Sequence, residues 1–257
     1  MKSKKVYIIL IAILFIFFII MFLLFGVDEI RKQSLDTTII VSNDTVWTYN
    51  NKKWNNLYSY GDINWEKYDV YLDNEKKGNY YLWYNDEWYA FNNKKNAVTL
   101  EGDLLGIKSN VDISVYKFNT DDIDDYSYVY EVLKKNSLSI DSKYTSNYKV
   151  VFDYNNDGYK EEFYVISNAF PMDFDPDKIF SIVFMVKEDK AYPIYTNISE
   201  NTGFNGCMPY FSSFIDIDGD LKYEFILSCA KYSTSSVTRM LYEFKNNEFK
   251  MLISNNK

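Results

Sequence analysis

A run of bulky aromatic residues, a short polar turn and a second aromatic run recurs along this chain. It appears as Trp47-Thr-Tyr-Asn-Asn-Lys-Lys-Trp54, as Leu82-Trp-Tyr-Asn-Asp-Glu-Trp-Tyr89 and as Leu241-Tyr-Glu-Phe-Lys-Asn-Asn-Glu-Phe249. Asn and Asp tolerate positive φ, so such pairs suit tight hairpin turns, and the flanking Trp and Tyr suit pairing across strands. The pattern therefore restricts much of the chain to antiparallel β structure. Aromatics make 19% of the 257 residues, with 25 Tyr, 19 Phe and 5 Trp against nine Gly and four Pro. That apolar mass is enough to bury a core, which excludes wholesale disorder. Cross-strand packing is the plain use of these rings; a stacking platform for a glycan is the functional one.

Thr38–Val41 and Thr45–Tyr49 read as strands, and Tyr68–Leu72 and Tyr80–Tyr84 as a hairpin joined by Asp73–Asn79. Residues 37–118 thus form a β-hairpin region. One helix is expected over 119–137, with Asn119 or Thr120 as cap. Asp121, Asp122, Asp124 and Asp125 would sit at its positive end, and Lys134 and Lys135 at its negative end. Ile123, Tyr126, Tyr130 and Leu133 would share its apolar face.

The region 146–257 holds two copies of one unit: strand, acidic loop, strand, hairpin. The first uses Tyr148–Phe152, Asp153–Glu161, Glu162–Ser167 and the hairpin Ser181–Tyr195. The second uses Tyr210–Ile215, Asp216–Glu224, Phe225–Cys229 and the hairpin Val237–Ile253. In the strands after the loops, Phe163-Tyr-Val-Ile and Phe225-Ile-Leu are apolar on both faces, as central strands covered on both sides are.

The loops carry the sharpest chemistry. Side-chain oxygens recur at loop positions 1, 3, 5 and 9: Asp153, Asn155, Asp157 and Glu161 in the first, Asp216, Asp218, Asp220 and Glu224 in the second. Backbone carbonyls at position 7, from Tyr159 and Lys222, would complete a set of hard oxygen ligands. Calcium takes six to eight oxygens in flexible geometry; magnesium demands a stricter octahedron and retained water. The loops are not complete EF-hands, because position 12 is Tyr164 or Leu227 and a strand follows. Asp173-Phe-Asp175-Pro-Asp177 is a further acidic stretch and reads as a solvated loop.

On these residues the arrangement resembles the calcium loops of FG-GAP and VCBS-type repeats, as in the integrin α-chain propeller. The resemblance covers 148–257. It implies calcium at two sites and propeller-blade-like four-stranded units. The first loop matches more fully, since the second has Leu221 where Gly is usual, with Gly219 two residues earlier to relieve the turn.

Cys207 and Cys229 are the only cysteines and bracket the second loop; they are candidates for a disulfide or for two separate thiols. The absence of His excludes Ser-His-Asp and Cys-His catalysis and imidazole metal ligation.

Val6–Val27 carries no charge, and at about 1.5 Å per residue is long enough for a transmembrane helix. No small-x-small cleavage site follows it, so it reads as a signal-anchor rather than a cleaved signal peptide. Residues 1–5 then form a cytoplasmic tail and 28–36 a linker. Lys2, Lys4 and Lys5 place the rest outside a plasma membrane. A preference for Lys over Arg, with many Asn and Ile, matches an AT-rich bacterial coding bias. All 36 acidic residues but only 25 of the 28 basic ones lie from Asp28 onward. This acidic excess makes nucleic acid a poor partner.

The fold expectation is a transmembrane helix, antiparallel hairpins, one helix and two blade-like units. The functional expectation is a membrane-anchored, calcium-stabilised surface module that binds a glycan or protein. The alternatives are a carboxylate-dependent glycan hydrolase and a purely structural envelope component.

Overall fold

The computed structural model describes residues 36–42, 45–93, 96–138, 146–169, 178–200, 206–231, 234 and 236–255. It is mainly β. In the first region, β1 (Thr37–Val41), β2 (Thr45–Asn50), β3 (Lys53–Asn56), β4 (Glu66–Leu72), β5 (Glu75–Asn85), β6 (Glu87–Asn93), β7 (Asn96–Val98) and β8 (Leu104–Ser109) form one antiparallel sheet. Its order is β3-β2-β1-β8-β4-β5-β6-β7. The next strand, β9 (Ser114–Tyr116), leaves this sheet for another, so the hairpin region is not self-contained.

The recurrent aromatic motif makes the expected hairpins. Its rings face each other in register: Tyr49 with Trp54 at 5.1 Å, Trp83 with Tyr89 at 5.8 Å, Tyr84 with Trp88 at 5.1 Å, and Phe244 with Phe249 at 4.6 Å. Such pairs contribute about 0.5–1.5 kcal/mol each beyond burial. The turns at Asn51-Lys52 and Asn246-Asn247 take positive φ at both residues, as tight hairpin turns with the strand twist require. The β4–β5 hairpin turns earlier than expected, at Asp73-Asn74, and its strand runs on through Gly78 with a bulge at Val70/Tyr71.

The helix is shorter than the charge pattern suggests: α1 spans Ser127–Lys135. Asp121 instead pairs with Lys149 in a β-bridge, and neither Asn119 nor Thr120 caps the helix. The Ser127 N–H is taken by Asp125 Oδ1 at 2.9 Å. The buried face carries Val129 and Leu133, with Ile123 buried beside them in the segment before the helix, while Tyr130 is exposed.

The first repeat unit is β10 (Ser146–Phe152), the acidic loop, β11 (Glu161–Ser167), β12 (Lys178–Lys187) and β13 (Lys190–Glu200), a four-stranded sheet in chain order. The second is β14 (Cys207–Asp216), loop, β15 (Glu224–Lys231), β16 (Ser236–Lys245) and β17 (Glu248–Ser254), to which β9 adds a fifth strand beside β14. As expected, β11 and β15 are central and buried on both faces.

Alternation along the strands places the layers. Phe163, Val165, Val183 and Met185 pack on Phe214, Phe225, Leu227 and Tyr242, joining the four- and five-stranded sheets. The opposite face of the five-stranded sheet, with Ile215, Ile226 and Leu241, packs on Ile39, Val41, Trp47 and Ile107 of the eight-stranded sheet. Tyr164, Ile166, Ile182 and Phe184 meet α1 on the outer face of the four-stranded sheet. The order of layers is helix, four strands, five strands, eight strands.

This stack corrects the blade-like expectation. Sheets of eight, four and five strands lying face to face are not propeller-like, and the second unit is completed by a strand from the first region. The membrane expectation is corrected too. The segment 6–27, with the tail and most of the linker, lies outside the described residues. Among the described residues no helix is long and apolar enough to cross a membrane. The transmembrane helix, the signal-anchor and the plasma-membrane location gain no support from the fold and are set aside. The Asp173–Asp177 stretch also lies outside the described residues.

Candidate metal centre

Both acidic loops fold the same way, position by position. The carboxylate at position 1 receives two loop amides. Asp153 Oδ1 accepts from Asp157 N at 3.0 Å and its Oδ2 from Gly158 N at 2.8 Å. Asp216 does the same with Asp220 N at 3.0 Å and Leu221 N at 3.1 Å. The carboxylate at position 5 takes the amide of position 7: Tyr159 N to Asp157 and Lys222 N to Asp220, both at 2.9 Å. The glutamate at position 9 reaches back to the amide of position 2, Tyr154 N to Glu161 at 3.3 Å and Ile217 N to Glu224 at 3.1 Å. Positions 4 and 6 hold positive φ in both loops: Asn156 and Gly158, then Gly219 and Leu221. The loops lie side by side, with Tyr223 N donating to Tyr154 O across 2.9 Å.

The equivalence ends with charge. In the first loop the Lys187 ammonium lies 3.2 Å from Asp157 Oδ2 and 3.4 Å from Glu161 Oε1. It arrives from the end of β12, because Glu162 pairs with Val186 and the next step sets Lys187 opposite Glu161. Burial pushes the Glu161 carboxyl above its ordinary value, partly offset by Tyr154 N–H and Lys187. The Tyr159 amide and the Asn155 side chain, helped by Lys187, hold Asp157 below the usual carboxylate range. The first loop therefore already contains a cation.

In the second unit Phe225 pairs with Tyr242, so the corresponding step sets Glu243 opposite Glu224. A carboxylate stands where the first unit has lysine. Asp216, Asp218 and Asp220 each bring one oxygen to within 4.8 Å of the others. Asp216, Asp218 and Glu224 are buried. Burial pushes the Asp216 carboxyl up, and the nearby Asp220 and Asp218 charges push it further, against the Leu221 amide. Lys222 Nζ lies 3.2 Å from Asp220 Oδ2, but its side chain is exposed, whereas Lys187 is largely buried.

The residues read from sequence thus divide. Asp216, Asp218 and Asp220 converge, with Glu224 beneath the loop. Asp153, Asn155, Asp157 and Glu161 form the same turn around a lysine. Tyr159 and Lys222 contribute amides to the turns. Lys187 and Glu243 were missed, although counting the hairpin register back from each turn places them opposite Glu161 and Glu224.

Cys207 and Cys229 are joined in a disulfide, with a Cα separation of 5.4 Å, both buried. The bridge lies toward the far end of the β14–β15 pair, its Cys229 five residues or roughly 16 Å beyond Glu224 at about 3.3 Å per residue, so it ties the two strands and does not clamp the acidic turn.

Comparison with known protein families, curated proteins and solved structures finds no match.

Proposed function

We propose that the chain is a calcium-stabilised β module serving binding or interaction, with its calcium held by the second acidic loop. The convergence of Asp216, Asp218 and Asp220 carries this reading. Carboxylates brought together and partly buried repel one another and lose hydration, and a divalent cation with oxygen preference removes both costs. The donor set is all oxygen, which suits calcium and offers nothing to softer metals. The loop pattern shared with FG-GAP and VCBS-type repeats supports the same ion. The Lys187-to-Glu243 exchange between units favours one site over two and reverses the ranking of the loops. The role assigned to the ion is ordering of the β14–β15 connection.

The test is a thermal melt of the chain with chelator and across a calcium series. A ligand that binds only the folded state adds RT ln(1 + [L]/Kd), about 2.7 kcal/mol at a hundredfold excess. We expect a calcium-dependent rise in Tm that is lost in Asp218→Asn. An unchanged Tm at millimolar calcium would overturn the reading.

A further inference from the structure

The second acidic loop does not face open solvent alone. It forms one wall of a cleft of about 360 Å³, whose other walls come from the β2–β3 and β16–β17 hairpins. That volume falls in the usual range for small-ligand sites, about 300–1,000 Å³. Two of the aromatic-turn motifs therefore converge with the acidic loop at one place.

The lining has an unusual charge pattern for an acidic chain. Lys52, Lys53, Lys245 and Lys250 all contribute to it. None of the four is in an ion pair with a described residue, whereas Lys76, Lys108, Lys149 and Lys187 elsewhere are. Lys52 sits at φ 66, in the left-handed region, at the tip of its turn. Trp54 also lines the cleft, half-buried and braced by Tyr49 at 5.1 Å. Asp218, Glu224 and Glu243 complete the wall.

We propose that this cleft binds an acidic saccharide, its carboxylate held by the lysines and a ring face laid on Trp54. Lysine ammonium groups supply point charges for an anion. An indole face offers flat apolar surface to the C–H side of a sugar ring. Carboxylates beside the lysines accept hydrogen bonds from hydroxyls, so the wall suits a polyhydroxylated anion better than a bare phosphate. The inference rests on the calcium reading in one respect: an ion in the loop offsets the repulsion that Asp218 and Glu224 exert on an anion.

The experiment titrates the full chain with short oligogalacturonates and follows tryptophan fluorescence and calorimetric heat, in calcium and in chelator. Neutral oligosaccharides and polyglutamate serve as comparison ligands. Saturable binding of the uronate is expected, at least tenfold tighter in calcium, with at least a tenfold loss in Trp54→Ala and in Lys245→Gln/Lys250→Gln. The lysine variant alters exposed side chains only, so it stays informative if Trp54→Ala fails to fold. Absence of saturable binding in both conditions overturns the proposal, and so does equal binding in the lysine variant. Polyglutamate binding as tight as the uronate overturns the saccharide assignment. A calcium-dependent Tm without uronate binding refutes the cleft alone. Uronate binding with no effect of calcium either on that binding or on Tm refutes the metal reading and leaves the cleft standing.

Discussion

Leu221 concentrates the cost of building the second loop. Its φ of 66 is in the left-handed region, where a Cβ meets the backbone at about 1–2 kcal/mol. The first loop has Gly158 at this position, and Gly219 was expected to relieve the turn. Gly219 does take positive φ, at 72, but Leu221 takes it as well. The reason is that the Leu221 amide must turn inward to reach Asp216 Oδ2. Its side chain is exposed, so nothing is lost from the core on replacing it. Leu221→Gly should raise stability by about 1 kcal/mol, less the greater chain entropy of Gly in the unfolded state. Chemical denaturation of both proteins in chelator checks this. The turn pattern of the loop was legible one residue at a time because Asp, Asn and Glu recur at fixed positions. The charge that separates the two loops was not, since Lys187 and Glu243 come from strands beyond the one following each loop.

Paired elements account for both the success and the limits of that reading. A hairpin is a local object, and the aromatic pairs and Asn turns specify it with residues a few positions apart. Strands β11 and β15 were recognisable as central because their middle residues, Phe163–Ile166 and Phe225–Leu227, are apolar on both faces. The helix start was misplaced because Asp121 serves a bridge to Lys149, a partner that its own neighbourhood does not announce. The β12 contribution to the first loop belongs to this scale. Lys187 supplies the positive charge beside Asp157 and the buried Glu161. Lys187→Met should destabilise the chain by about 1–2 kcal/mol in chelator, the cost of leaving a buried acceptor without its partner. Removal of the lysine should also leave the first loop with the same demand for a cation as the second. Part of the lost stability should return on adding calcium, beyond the shift seen in the unmodified chain. Melts of the variant with and without calcium measure both effects.

At the scale of the whole molecule, the described residues form a stack of three sheets and a helix, and this was the least legible level. Alternation along Ile39, Ile40 and Val41 shows that both faces of β1 are buried, yet not which sheet lies against them. The assignment of β9 to the neighbouring five-stranded sheet is a pairing across about a hundred residues that only the packed state decides. The tightness of the stack has a pH signature. Burial pushes the Tyr148 hydroxyl from 10 up to about 12, and Tyr242 likewise to about 12. Burial also raises Tyr68. A phenol whose pKa is raised on folding keeps its contribution below its unfolded value, here pH 10, and loses it as pH climbs toward the folded value. Tyr148 alone should remove on the order of 2 kcal/mol by the top of that window. Tyrosinate absorbance and Tm should therefore change together and cooperatively between pH 10 and 12; gradual ionisation with the fold intact would speak against the burial. The central claim is that one loop of the two takes calcium. Calorimetric titration of the full chain with calcium tests it most directly. The account predicts one ion per chain, abolished by Asp218→Asn and retained in Asp157→Asn. No heat of binding, or a site lost in Asp157→Asn and kept in Asp218→Asn, would contradict it.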